Sequence, residues 1–333
     1  MRALALLFLV GCAGDGQIRD QFNVEIDGAV LPVSVRGNAD SGKLVVFESG
    51  GPSGPGIAER AVDYVVFDES LSDEVAIVMY DRRGTGNALG DYRDDTLTMD
   101  RLVEDLRAIS RVLDERYNPQ TKILAGHSFG ALSSQRYLMA HPDDFDGWAP
   151  IAPAWTVQDQ QMQLDYRFDF LCRVADEQEG DAALWEDMRS WCAENADDPP
   201  TVDSKDLDTM YDFLNEIDDR LGAWPTMEPG GLVGALFGSH YNFIDTQMRP
   251  NRISDPVWAD LKGMDALGEL AEIDIPTRII TGRYDDVAPT ELAVDGLEAL
   301  SSEDAALVEI DDAGHYPFHI APFRIAKTIL ELF

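Results

Sequence analysis

At 333 residues and 45% hydrophobic side chains, the chain has material for a large core, which excludes a disordered tail and leaves one domain with an insertion, or two. Its 62 acidic against 26 basic residues give a net charge of −36, a field that repels nucleic acid and anionic lipid and favours neutral or cationic partners. The acids are dispersed rather than gathered in one block, so most of this charge reads as a solvated surface.

The first segment is Arg2, the apolar run Ala3 to Val10, Gly11-Cys12, and then the polar stretch AGDGQIRDQ. So short a run cannot span a bilayer, which needs about 20 residues, but it suits a secretory apolar region. LVGC, Leu9 to Cys12, resembles the lipobox of bacterial lipoproteins. That resemblance implies that Cys12 is acylated and that the protein is exported and held to a bacterial membrane by lipid alone. Export would also let the remaining cysteines, Cys172 and Cys192, form a disulfide, the alternative being two isolated thiols.

From Gln21 to Asp27 and from Leu31 to Gly37 the residues alternate apolar and polar, as in a hairpin turning at Gly28-Ala29. Buried-strand runs follow at KLVVFES (43–49), EVAIVMYD (74–81), TKILAG (121–126) and GWAPIAP (147–153), with a helix over Met99 to Tyr117. Apolar runs alternating with helices predict a parallel sheet covered on both faces. Between about Val157 and Lys262 this rhythm gives way to Asp, Trp, Met and aromatic residues at helical spacing, read as an inserted helical cap. It returns with PTRIITG (276–282), AALVEID (305–311) and a closing helix over 322–333.

Three places in this framework carry chemistry. The stretch ILAGHSFGAL sets Ser128 between a strand and a helix, with Gly126 and Gly130 on either side, which is the context of a nucleophile elbow. A serine needs a base to take its proton and an acid to orient that base, in the chain order Ser, Asp or Glu, His. Of five histidines, His127 and His141 precede the acid candidates, whereas His315 follows the last strand in DDAGHYPF and is the expected base; His319 belongs to the start of the last helix. The acid lies in IITGRYDDVAP, where spacing leaves Asp285 and Asp286 open, one of them expected to cap the turn before Pro289. Oxyanion donors are expected from the amide of Phe129 and from the glycine-rich loop SGGPSGPG, 49–56. No metal-ligand spacing and no cofactor motif is evident.

These residues resemble the proline iminopeptidase family of α/β-hydrolases: SGGPSGPG its HGGPG loop, YDRRGTGNA (80–88) its D-x-R-G-x-G-x-S segment, GHSFG its elbow, GRYDDVAP its acid segment and AGHYP its histidine segment. The resemblance runs in order over 21–333. It implies an α/β-hydrolase fold with an inserted cap, a triad of Ser128, His315 and Asp285, and Gly51 as the second oxyanion amide. The implied divisions are 1–12 signal, 13–156 and 263–333 hydrolase core, and 157–262 cap. The implied activity is removal of N-terminal residues, proline among them, from short peptides, without cofactor or metal. An esterase or small-amide hydrolase and a catalytically silent binding protein are the alternatives. The chain departs from the family at Ser49 (histidine there), Ala88 (serine) and Gly238, which stands where a glutamate helps hold the substrate's amine. Asp165, Asp169 and Asp245 are candidate substitutes for that glutamate.

Overall fold

The computed structural model describes residues 16–62, 64–90, 92–156, 159–178, 182–221 and 254–333. Cys12, Gly238 and Asp245 lie outside these residues. Among the described residues no helix is long and apolar enough to cross a membrane.

β1 (Gln17–Ile26) and β2 (Ala29–Asn38) form an antiparallel hairpin. Its turn is Asp27-Gly28, not Gly28-Ala29, because Asp27 (φ 42°) and Gly28 (φ 78°) take the two left-handed positions of a tight hairpin while Ala29 pairs with Ile26. The rest of the sheet comprises β3 (Lys43–Glu48), β4 (Ala76–Tyr80), the two-residue β5 (Leu89–Gly90), β6 (Thr121–His127), β7 (Gly147–Ile151), β8 (Thr277–Gly282) and β9 (Ala305–Ile310). Strand order is β1-β2-β4-β3-β6-β7-β8-β9, with β5 paired to β2. From β4 to β9 all neighbours are parallel, and β2 joins β4 antiparallel.

Period-two alternation loads both faces of the sheet. In β3, Leu44 and Val46 belong to one apolar cluster and Val45 and Phe47 to the other. The first face packs against α3 (Met99–Tyr117) and α4 (Phe129–Ala140). The second packs against α2 (Val65–Ser72) and α10 (Pro322–Leu330), which follows the single turn Pro317–His319. α3 begins where Thr98 accepts from the Arg101 amide and ends at Asn118 in the left-handed conformation. Asp105 on its core-facing side is paired with the buried Arg83, Nη2 to Oδ1 at 2.6 Å, and that arginine also donates to the carbonyl of Asp27 in the hairpin turn. The strand after β3 lies on one side of it and the strands from β6 onward lie on the other. The loops leaving β3 and β6 therefore diverge and leave a crevice at the carboxyl edge of the sheet, where α/β sheets hold their ligands.

α5 (Gln160–Glu177), α6 (Ala182–Asn195) and α7 (Leu207–Leu221) lie within the stretch read as a cap and share an apolar cluster that includes Leu164, Phe170, Met188, Met210 and Leu214. Cys172 and Cys192 form a disulfide between α5 and α6, with Cα atoms 5.7 Å apart. After α8 (Ser254–Asp260), Leu261 packs with Val257 into the first core cluster. α9 (Thr290–Ala299) faces α5: Arg173 pairs with Glu291 at 2.5 Å, and Tyr166 donates to Asp295.

The disulfide closes a loop with a sequence separation of 20, for which the chain-entropy account gives about 3 kcal/mol. Replacing both cysteines with serine is expected to lower the unfolding free energy by about 2–4 kcal/mol in a urea titration, with the change confined to the transition that melts the helical segment if that segment unfolds separately.

Candidate active site

β6 and α4 meet at one residue, and the approach is too close for side chains. A Cβ on Gly126 would come within 2.3 Å of the Gly130 carbonyl oxygen, and one on Gly130 within 2.2 Å of the Glu48 carbonyl oxygen. Ser128 itself has φ 55° and ψ −117°, a conformation costly for any residue but glycine. Three bonds fix it: its amide donates to the Ile151 carbonyl at 2.8 Å, and its carbonyl accepts from the amides of Ala131 at 3.0 Å and Ala154 at 3.4 Å. The hydroxyl thus projects at the mouth of the crevice, beside the first amide of α4, that of Phe129, which has no acceptor within the helix.

The loops after β8 and β9 are joined to each other. The amides of Arg283 and Tyr284 donate to the carbonyls of Ile310 and Ala313 at 3.0 and 2.8 Å, and only glycine fits at 282, where a Cβ would lie 2.3 Å from the Gly314 carbonyl oxygen. This seam sets Asp285, fully buried, against His315: Nδ1 lies 2.9 Å from Oδ2 and 3.1 Å from Oδ1. On the other side of the ring, Nε2 lies 3.0 Å from the Ser128 Oγ. A carboxylate accepts only, so Nδ1 carries the proton and Nε2 is left to accept from the serine hydroxyl.

Asp285 also performs the turn-capping that sequence reasoning divided between two aspartates. Its Oδ1 accepts from the amides of Val287 and Ala288 at 3.0 and 2.8 Å while still reaching His315, since two carboxylate oxygens offer about four acceptor sites. Asp286 is left without that role, and burial, then the charge of Asp285, pushes its carboxyl up to about 6. Burial alone would lower the His315 pKa, but the charge and hydrogen bond of Asp285 outweigh it and the value is raised.

Gly51, with φ 56°, sits on the loop beside this group; a Cβ on its neighbour Gly50 would lie 3.0 Å from His127 Nδ1 and 3.6 Å from the Ser128 Cβ. Beneath the elbow, His127 is wholly buried. Burial first, and then the nearby His315, hold its pKa well below 6.5. Its Nε2 lies 2.7 Å from the His315 carbonyl oxygen and its Nδ1 3.0 Å from the Tyr64 hydroxyl. The neutral ring therefore donates to the carbonyl and accepts from the tyrosine. Asp165 and Asp169 lie exposed on α5. Among the described residues no group of three or more His, Cys, Asp and Glu side chains is arranged to hold a metal ion.

Sequence reasoning missed the buried polar cluster of Glu48, Tyr80, Arg82 and Ser133 behind the oxyanion loop. Its traces in the sequence are a glutamate ending an apolar strand directly before the glycines, and Tyr80 and Arg82 within YDRRGTGNA, to which the resemblance gives no role.

The family described as "Serine aminopeptidase, S33" matches residues 55–212, a span that contains the elbow and ends before Asp285 and His315. The chain is 21% identical to "Probable aminopeptidase YbaC" of Bacillus subtilis, over 86% of this chain and 87% of that protein. It is 25% identical to a proline iminopeptidase of Heyndrickxia coagulans, over 66% of this chain and 69% of that protein. An esterase from Exiguobacterium antarcticum superposes with a TM-score of 0.61 at 17% identity, covering 93% of this chain and 97% of that one. The chain has the α/β-hydrolase fold.

Because the pKa of His315 is raised, its neutral, proton-accepting form is reached only above the ordinary value of 6.5. Labelling of Ser128 by a fluorophosphonate is expected to rise with pH through a midpoint above 6.5, and Asp285→Asn should slow it roughly 10³–10⁴-fold. By the same sign, the Asp285–His315 attraction stabilises the folded state fully below pH 6.5 and is lost as pH rises through the higher folded value.

Proposed function

We propose that this protein is a serine hydrolase that releases N-terminal residues, proline among them, from short peptides. The observation that carries the reading is the continuous chain Ser128 Oγ, His315 Nε2, His315 Nδ1, Asp285, built on a strand-to-helix serine held in a left-handed conformation.

In this reading Ser128 Oγ attacks the scissile carbonyl carbon as its proton passes to His315 Nε2. The carbonyl electron pair moves onto oxygen, which the amides of Gly51 and Phe129 receive. The tetrahedral species collapses with cleavage of the C–N bond, and the leaving amine takes the proton from His315. Water then repeats the sequence on the acyl-enzyme: its proton goes to His315, its oxygen to the acyl carbon, and Ser128 departs with the returned proton. Asp285 remains ionised throughout and holds the imidazole in the productive tautomer. The reading is supported by the aminopeptidase names among the sequence relatives and by the motif order.

An esterase or small-amide hydrolase with the same machinery is the second reading. Gly238, in place of the amine-binding glutamate, and the likeness to an esterase favour it. The deciding measurement compares a proline anilide with a free amino group and the same anilide N-acetylated, with Ser128→Ala as blank. Faster turnover of the free amine by tenfold or more supports the peptidase; equal or reversed rates support the second reading. Ser128→Ala is expected to lose at least about 10³-fold of the rate; full retention overturns both.

Export and lipid attachment at Cys12 complete the proposal, with short peptides or small acyl compounds, and no nucleic acid, as partners. Radiolabelled palmitate should be incorporated into the full chain in a bacterial host and be absent from Cys12→Ala. Equal incorporation into both removes the anchor from the reading.

A further inference from the structure

The glycine-rich loop after β3 is the least constrained part of the site by its own composition, since Gly50 and Gly51 bring no side chains to pack and glycine has the greatest backbone freedom. Its conformation is nevertheless fixed by two side chains, Ser49, whose hydroxyl donates to the Gly54 carbonyl at 3.1 Å, and, from behind, an arginine. Arg82, with only 2% of its side chain exposed, donates from Nη1 to the Gly51 carbonyl at 2.8 Å and from Nη2 to the Ser49 carbonyl. Its Nε donates to Glu48 Oε2 at 3.0 Å.

The geometry of trans peptides gives these bonds a consequence at the site. A carbonyl and the amide of the following residue point in opposite directions, so a guanidinium that holds the Ser49 carbonyl turns the Gly50 N–H away from itself. Gly51 is held by its own carbonyl, which also accepts from the Gly54 amide at 3.2 Å. Between these two clamped planes lies the Gly50–Gly51 peptide. Its oxygen faces Gly54, where a Cβ would approach to 1.9 Å, so its N–H, the oxyanion donor proposed above, is directed the other way.

Arg82 reaches the second donor as well. Its guanidinium carbon lies 5.2 Å from the centre of the Phe129 ring, on the residue whose amide is the other half of the hole. Glu48 in turn accepts from Ser133 of α4 at 2.9 Å and from Tyr80, so the arginine's partner is anchored to the helix that carries Phe129. An arginine is needed for this: three separated acceptors are met by one planar fork, which an ammonium cannot span.

We infer that Arg82, held by Glu48, is a positioning residue that sets the Gly51 and Phe129 amides for the developing oxyanion. The inference rests on the serine-hydrolase reading above. It assigns Arg82 no contact with substrate; its effect passes through the loop.

The test uses Arg82→Met and the charge-balanced double variant Glu48→Gln/Arg82→Met in the full chain. It reads the rate of fluorophosphonate labelling of Ser128, kcat and KM on an activated ester, and inhibition by a trifluoromethyl ketone, whose adduct places an oxyanion in the hole. Loss of a preorganised oxyanion donor costs about 10²–10³-fold in other serine hydrolases. Both variants are expected to lose about 100-fold in kcat and labelling, to bind the ketone about 100-fold more weakly, and to keep KM within about twofold. The double variant should recover thermal stability relative to Arg82→Met without recovering rate, a separation that a purely structural arginine does not give. If activity returns with stability in the double variant, or if the loss falls in KM, the inference is overturned. Should Arg82→Met fail to fold, the double variant alone is judged by the same criteria. Absence of labelling in the wild-type protein defeats the hydrolase reading itself, whereas a labelled wild type with equally fast variants defeats only the role of Arg82.

Discussion

Everything at the carboxyl edge of the sheet depends on how closely β6 can pass α4. A strand and a helix joined by a single residue leave no room for a turn, so the chain changes direction in the backbone torsions of Ser128, and Gly126 and Gly130 leave room for the close approach that follows. The hydrogen bond from the Ser128 amide to the Ile151 carbonyl holds the elbow on β7, and the close approach of Gly130 to the Glu48 carbonyl sets it against β3. Strain at one residue is thus balanced by hydrogen bonds and packing against the two neighbouring strands, which is how a site keeps a backbone conformation that an isolated peptide would relax.

The acidic composition has an internal counterpart. Most of the acids face water, but three arginines lie inside: Arg60 on Asp68 and the carbonyls of Ser34 and Ile77, Arg83 on Asp105, Arg82 on Glu48. Each of these guanidiniums also donates to main-chain carbonyls: Arg60 to Ser34 and Ile77, Arg83 to Asp27, Arg82 to Ser49 and Gly51. Buried ion pairs add little net stability because desolvation offsets the Coulomb attraction. What they provide here is direction, since buried carbonyls receive donors that would otherwise come from water.

The sheet was legible because its strands are buried on both faces and read as continuous apolar runs, and α3 was legible to its ends because Thr98 and Asn118 mark them. That Ser128 and His315 are brought together was legible from chain order, and their side chains lie 3.0 Å apart. The acid was not separable by spacing, because Asp285 and Asp286 differ in burial and partners, which depend on a loop meeting β9. The contacts of Glu48, Arg82, Tyr64 and His127 were hidden for a similar reason: each meets a partner far away in sequence, and those of Arg82 and His127 are main-chain carbonyls, which leave no mark on a pattern of side chains.

The seam between the loops after β8 and β9 has a mechanical meaning. Arg283 and Tyr284 bind Ile310 and Ala313 through the main chain, so the orienting carboxylate and the imidazole ride on one stiff body, while the serine belongs to another built on β6 and α4. Displacement of one body against the other falls on two contacts, the gap between Nε2 and Oγ and the bond from His127 Nε2 to the His315 carbonyl, while the carboxylate and imidazole travel together.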